Sequence, residues 1–131
     1  MDAVPCPSRF VVTLAVRPAE AVSCVRISGD IDLVDETVRA VAIEKLTPAV
    51  AQTVMVDLDD SSFMGSALVG FLVRILHAAP AGSSLVLCRP PRRARWVISA
   101  TSLRLLAALR DDLPPEWVTP TRELVAVPLA G

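Results

Sequence analysis

Side chains in the run RFVVTLAV fall on two faces, Phe10, Val12, Leu14 and Val16 on one and Val11, Thr13, Ala15 and Arg17 on the other. A period of two with one face wholly apolar is that of a strand buried on one side. The short link RPAEA then leads to VSCVRIS, and the pair predicts a hairpin at a sheet edge, with strands over 9–16 and 22–28. TVMVDL at 53–58 and SLVLC at 84–88 are continuously apolar instead. Such runs belong to central parallel strands covered on both faces.

Helical spacing fills the intervals. In VDETVRAVAIEKL, Val38, Val41, Ala42 and Leu46 share one face, and Asp35, Glu36, Arg39 and Glu44 take the other. Acids open this helix, Lys45 lies near its end and Pro48 stops it. A second helix is predicted over 67–79, with Leu68, Phe71, Leu72, Ile75, Leu76 and Ala79 inward and Gly70, Arg74 and His77 as a narrow exposed strip. RPPRRARWVISATSLRLLAAL reads as a third helical region, starting near Pro91, where a missing amide donor does no harm, and broken around Ser102. After DLPPEW, the run ELVAVPL supplies a last strand. The order β-β-α-β-α-β-α-β implies an α/β sandwich whose parallel strands are joined by right-handed crossovers. One domain over residues 1–131 is expected, with a mixed sheet of about five strands.

Composition narrows the function classes. Apolar residues make up 53% of the 131, yet Arg74 and His77 interrupt the longest apolar run, so no membrane span is predicted. MDAVPCPSRF has an acid and two prolines where a signal peptide needs a basic and then an apolar segment. A cytoplasmic protein is expected. A net charge of −1 provides no broad basic field for nucleic acid or an anionic bilayer. Twelve arginines against the single Lys45 are what a GC-rich genome encodes. Cys6, Cys24 and Cys88 are odd in number and lack metal or redox spacing, which favours free thiols.

The stretch DDSSFMGSALVGFL sets Ser66 at the start of the second helix, after a central parallel strand, where open α/β sheets carry their functional loops. A serine there can simply be an N-cap, stabilising the helix by about 1 kcal/mol. Its surroundings suggest more. The turn GDID (29–32), the strand end VDL (56–58) and the segment FMGSALVG (63–70) together resemble the anti-sigma factor antagonists, small members of the STAS family. The resemblance continues into PRRARWVISATSL, covering about residues 9–110. It implies a STAS-like sandwich and a non-enzymatic protein without cofactor or metal. Its partner would be an anti-sigma factor with a kinase-type ATPase fold, which releases a sigma factor for transcription when the antagonist binds.

In that family the first serine of the segment is phosphorylated by the anti-sigma factor, and Ser66 matches it. Asp30, Asp32, Gly65, Ser66, Ala67, Leu68, Gly70 and Arg74 are the partner-binding residues this implies. A phosphate would add roughly −1.5 to −2 charges beside Asp30 and Asp32 and oppose docking. Gly65, Ala67 and Leu68 depart from the family's Asp, Ser and Gly. Either the cognate kinase accepts this loop, or the antagonist is constitutive or regulated in another way. A STAS scaffold subunit of a membrane transporter or larger signalling assembly, with Ser66 only a cap, is the alternative.

Other chemistry is sparse. DLDD (57–60) reads as a solvated strand end, since a receiver-type acidic pocket also needs a lysine late in the chain. His77 is the sole histidine and lies about 16 Å along the helix from Ser66, too far for a Ser-His site. Neither a P-loop nor a dinucleotide fingerprint is present. Arg89, Arg92, Arg93 and Arg95 form a basic cluster expected to be a solvated helix start, with an acidic partner surface as the other possibility.

Overall fold

A computed structural model describes residues 9–63 and 66–129. The first alternating run becomes β1 (Arg9–Arg17), and after one 3-10 turn the second becomes β2 (Val22–Asp30). They pair antiparallel, with Val12 opposite Ile27 and Leu14 opposite Val25. Two continuously apolar runs form β3 (Thr53–Asp57) and β5 (Ser84–Cys88), parallel to β2 in the order β2-β3-β5. A short strand, β4 (Ser61–Phe63), runs parallel to the end of β2. Helices α1 (Glu36–Leu46), α2 (Ser66–Ala78) and α3 (Arg92–Ser99) follow the predicted segments.

Three expectations are corrected. The tail of the third helical region is not helical: after a 3-10 turn over Ser102–Leu105, Ala107–Arg110 is a strand, β6, parallel to β5. The hairpin is not at an edge. β7 (Arg122–Pro128) pairs antiparallel with β1 and takes that position, so the order is β6-β5-β3-β2-β1-β7, with β4 attached to β2. Val16, placed with the buried face of β1, is 39% exposed, next to the last residue of the strand.

The two faces of the sheet differ. On one, Phe10, Val12, Val25, Ile27, Val56 and Leu87 meet Leu68, Phe71, Leu72 and Ile75 of α2 and Ala94 and Ile98 of α3. That is the main core, where each fully buried aliphatic side chain contributes about 1.5–3 kcal/mol. Ser23 also points to this side and is satisfied: its hydroxyl donates to the Ala49 carbonyl (2.6 Å) and accepts from the Ala51 amide (2.9 Å). The opposite face carries a smaller cluster of Val22, Cys24, Met55 and Cys88, against which Leu113 and Trp117 pack. No helix among the described residues is long and apolar enough to cross a membrane.

Candidate functional site

Backbone geometry fixes the GDID turn. Gly29 has φ +89°, and a Cβ there would lie 1.9 Å from the Arg9 carbonyl oxygen, so no larger residue fits. The Gly29 amide donates to the Asp60 carbonyl at 3.0 Å, and β4 pairs Ser61 with Gly29. Asp30 Oδ1 accepts the Asp32 amide at 3.0 Å, closing the 3-10 turn Ile31–Leu33. Ile31 is fully buried and anchors that turn, while Leu33 is 59% exposed. Helix α2 packs against the same turn. The two sequence segments that carry the family resemblance are therefore neighbours in space.

Ser66 is the first residue of α2 and is exposed. Ser66, Ala67, Gly70 and Arg74 line a notch of about 240 Å³ that is completed by Glu36 and Arg39 of α1. Glu36 bridges both cations, accepting from Arg74 Nη1 at 2.8 Å and from Arg39 Nη2 at 3.1 Å. Its carboxyl is held below the usual range, first by Arg74 and then by Arg39. Arg39 is only 18% exposed, because its Nη1 donates to the carbonyls of Val34 (2.6 Å) and Ile31 (3.3 Å).

Of the predicted partner-binding residues, Ser66, Gly70 and Arg74 lie on one stripe of α2, and Ala67 also lines the notch. Asp30 and Asp32 are half-buried in the adjoining turn. Leu68 is corrected: it is 0% exposed and packs in the main core, so it offers no contact surface. Gly65 lies outside the described residues, as does Cys6. By helical period Glu36 and Arg39 fall on the face opposite Val38, Val41, Ala42 and Leu46. Their part in the notch depends on a contact between two helices that no helical period reveals, although a Glu/Arg pair three apart at a helix start was visible.

Asp57 is not part of a solvated strand end either. It is fully buried on the face opposite the main core. Arg89 donates to it through Nε (3.1 Å) and Nη2 (2.7 Å), Arg26 through Nε (3.0 Å), and the Asp59 amide at 3.2 Å. Burial pushes its carboxyl up, but the bonds from Arg89, the Asp59 amide and Arg26 outweigh that and hold it below the ordinary range. Arg26 also lies over the Trp117 ring, 5.7 Å from its centroid. The basic cluster is thereby divided: Arg89 turns to Asp57, Arg95 pairs with Asp111, and Arg92 and Arg93 remain on the exposed start of α3. Cys24 and Cys88 are free and buried. They sit two strands apart, about 10 Å across the sheet, beyond disulfide reach.

Among the described residues no group of three or more His, Cys, Asp or Glu could hold a metal ion. His77 is exposed in the last turn of α2, three turns from Ser66. A second hollow, about 310 Å³ between α1 and the edge strand β7, contains none of the sequence-predicted site residues.

Comparison with known proteins bears on the fold and the family. The structure resembles an anti-sigma factor antagonist from Mycobacterium paratuberculosis with TM-score 0.68 and 21% identity, covering 85% of this chain and 92% of that one. It also resembles the anti-sigma factor antagonist SpoIIAA in its unphosphorylated form, with TM-score 0.56 and 20% identity over 76% of this chain and 86% of that one. At such identities the likeness is one of fold. No curated protein matches by sequence. Residues 13–113 match the family model of the STAS domain. With most of its length matched by that model, the chain belongs to the STAS domain family.

Proposed function

We propose that this chain is a cytoplasmic anti-sigma factor antagonist. It binds an anti-sigma factor with a kinase-type ATPase fold, through the Gly29–Asp32 turn and the Ser66–Gly70–Arg74 stripe, and so frees a sigma factor for transcription. The observation that carries this reading is the placement of Ser66, exposed at the first residue of α2 beside the turn that α2 packs against. The chain supplies no catalysis. Its partner transfers the γ-phosphoryl of ATP to Ser66 Oγ: the bond to ADP breaks, the serine hydroxyl loses its proton to the partner's base, and the phosphoserine form no longer docks.

Such a phosphate brings roughly −1.5 to −2 charges to a contact surface. Its desolvation under a close-packed partner is costly even without a facing acid. The test uses purified anti-sigma factors of the source organism with radiolabelled ATP. One of them should bind the unmodified chain and label it, Ser66→Ala should abolish the label, and phosphoserine at 66 should weaken binding by at least about tenfold, or 1.4 kcal/mol. Binding to none of them would overturn the reading. Co-purification with a transporter subunit instead would favour the STAS scaffold.

A further inference from the structure

We propose that Arg39 and Arg74 form a receptor for a phosphoryl group carried on Ser66, with Glu36 holding the site in the unmodified chain and leaving it when the phosphate arrives. This rests on the reading of Ser66 as the modified residue and adds to it what the phosphate does once attached.

Space and reach come first. The notch beside Ser66 measures about 240 Å³, room for a phosphoryl group and several waters at about 30 Å³ each. Ser66, Gly70 and Arg74 follow one another at intervals of four along α2, which puts about 12 Å of helix axis between the ends of the stripe. Side chains on a helix lean toward its N-terminus, so Arg74 leans toward Ser66. Gly70, between them, has no side chain to stand in the way.

Charge and preorganisation come next. Glu36, Arg39 and Arg74 are the charged residues lining the notch. Arg39 is already immobilised by the carbonyls of Val34 and Ile31, with its Nη2 turned to Glu36. An ordered, partly buried guanidinium loses little further freedom on taking an anion. Glu36 is 66% exposed and can swing into solvent. A phosphate offers three acceptor oxygens and nearly twice the charge of a carboxylate, so it outcompetes Glu36 for both arginines. The lowered carboxyl of Glu36 reflects these same two hydrogen bonds, from Arg74 first and then Arg39.

The consequence is a switch that works by rearrangement as well as repulsion. Arg39 holds the carbonyls of the turn that bears Asp32 and the exposed Leu33. Capture of the phosphate ties Ser66 to that turn through Arg39 and places the Glu36 carboxylate on the docking surface.

The test needs no kinase. Phosphoserine is installed at position 66 during synthesis of the full chain and its phosphate is titrated by phosphorus NMR. The second pKa should lie below the ordinary value of about 6 by roughly half a unit or more. Arg74→Gln should return it toward that value, and Glu36→Gln, which removes the competitor, should lower it further. Arg39→Gln serves as a supporting variant where melting confirms that the turn has held; Arg74 is 40% exposed, with Glu36 as its ion-pair partner, so Arg74→Gln leaves the fold intact. An ordinary pKa that Arg74→Gln does not move overturns the receptor. Partner binding separates the two readings. Arginine capture without any anti-sigma factor binding keeps the receptor and removes the antagonist role, whereas phosphate-driven release without a response to Arg74→Gln does the reverse.

Discussion

Arg89 clasps both carboxylate oxygens of Asp57, through Nε at 3.1 Å and Nη2 at 2.7 Å, across the ends of the parallel strands β3 and β5. Asp57 is fully buried, while Arg89 remains 34% and Arg26 24% exposed. Asp57→Ala therefore strands two cations that can partly rehydrate. The expected loss is about 3 kcal/mol, the lower end of the range for breaking a buried pair, read as a fall in the urea midpoint. An Arg89→Ala variant should lose less, since Arg26 and the Asp59 amide still satisfy Asp57.

The same carboxylate sets an acid limit. Its pKa is lower in the folded chain than the unfolded value near about 3.9. The stabilisation it gives is therefore fully present above that value and lost as pH falls through the folded pKa. Stability should be level in this respect between pH 7 and 5 and drop below about pH 4. Asp57→Asn should flatten that drop. The exposed carboxylates Glu36 and Asp112 are shifted downward too, by Arg74 and Arg39 and by Arg110, and their share should shrink in high salt more than that of buried Asp57.

The legible parts of this molecule were those where a local period carries the information. β1, β2, β3 and β5 and the inward residues of α2 could be read because burial repeats every two or every 3.6 residues. β6 could not. Leu105, Leu106, Ala107 and Ala108 are good helix formers, and only pairing with β5 makes Ala107–Arg110 a strand. Strand order was equally hidden, since β7 reaches β1 from more than 100 residues away. At the candidate site, Ser66 and the Gly29–Asp32 turn were visible as motifs. The Glu36–Arg74 pair spans 38 positions, and the partners of Asp57 lie 31 and 32 positions away. Such contacts follow from tertiary packing and have no sequence signature.

Gly29 is a severe test of the turn. Gly29→Ala combines a φ of +89° with a Cβ 1.9 Å from the Arg9 carbonyl oxygen, a backbone atom of the paired strand. The backbone term alone costs about 1–2 kcal/mol for an L-residue, and the clash adds to it by pushing β1 and β2 apart. A thermal melt should show a large loss, with the end of the hairpin exchanging its amide hydrogens faster.

Cys88 should be inert. Burial, and next the charge of Asp57, push its thiol up to about 11, and burial raises Cys24 as well. Since the thiolate is the reactive species, a Cys6→Ser variant should take no thiol reagent at pH 7.5 while folded and two equivalents once unfolded. Rapid labelling of the folded variant would show that the face of the sheet under Trp117 opens readily.

Gly70 offers the opposite sign to Gly29. It lies inside α2 with nothing within 4 Å of an added Cβ, so Gly70→Ala should gain about 0.5–1 kcal/mol from helix propensity alone. In a domain of this size that is a rise of roughly 2–6 °C in Tm. The same methyl group stands in the notch between Ser66 and Arg74. Partner affinity should fall while stability rises, a trade expected where a residue is retained for what it leaves open. Equal binding by Gly70→Ala and the parent chain would place the docking surface away from this stripe of α2, and a lower Tm would mean that the helix there is tighter than its open surface suggests.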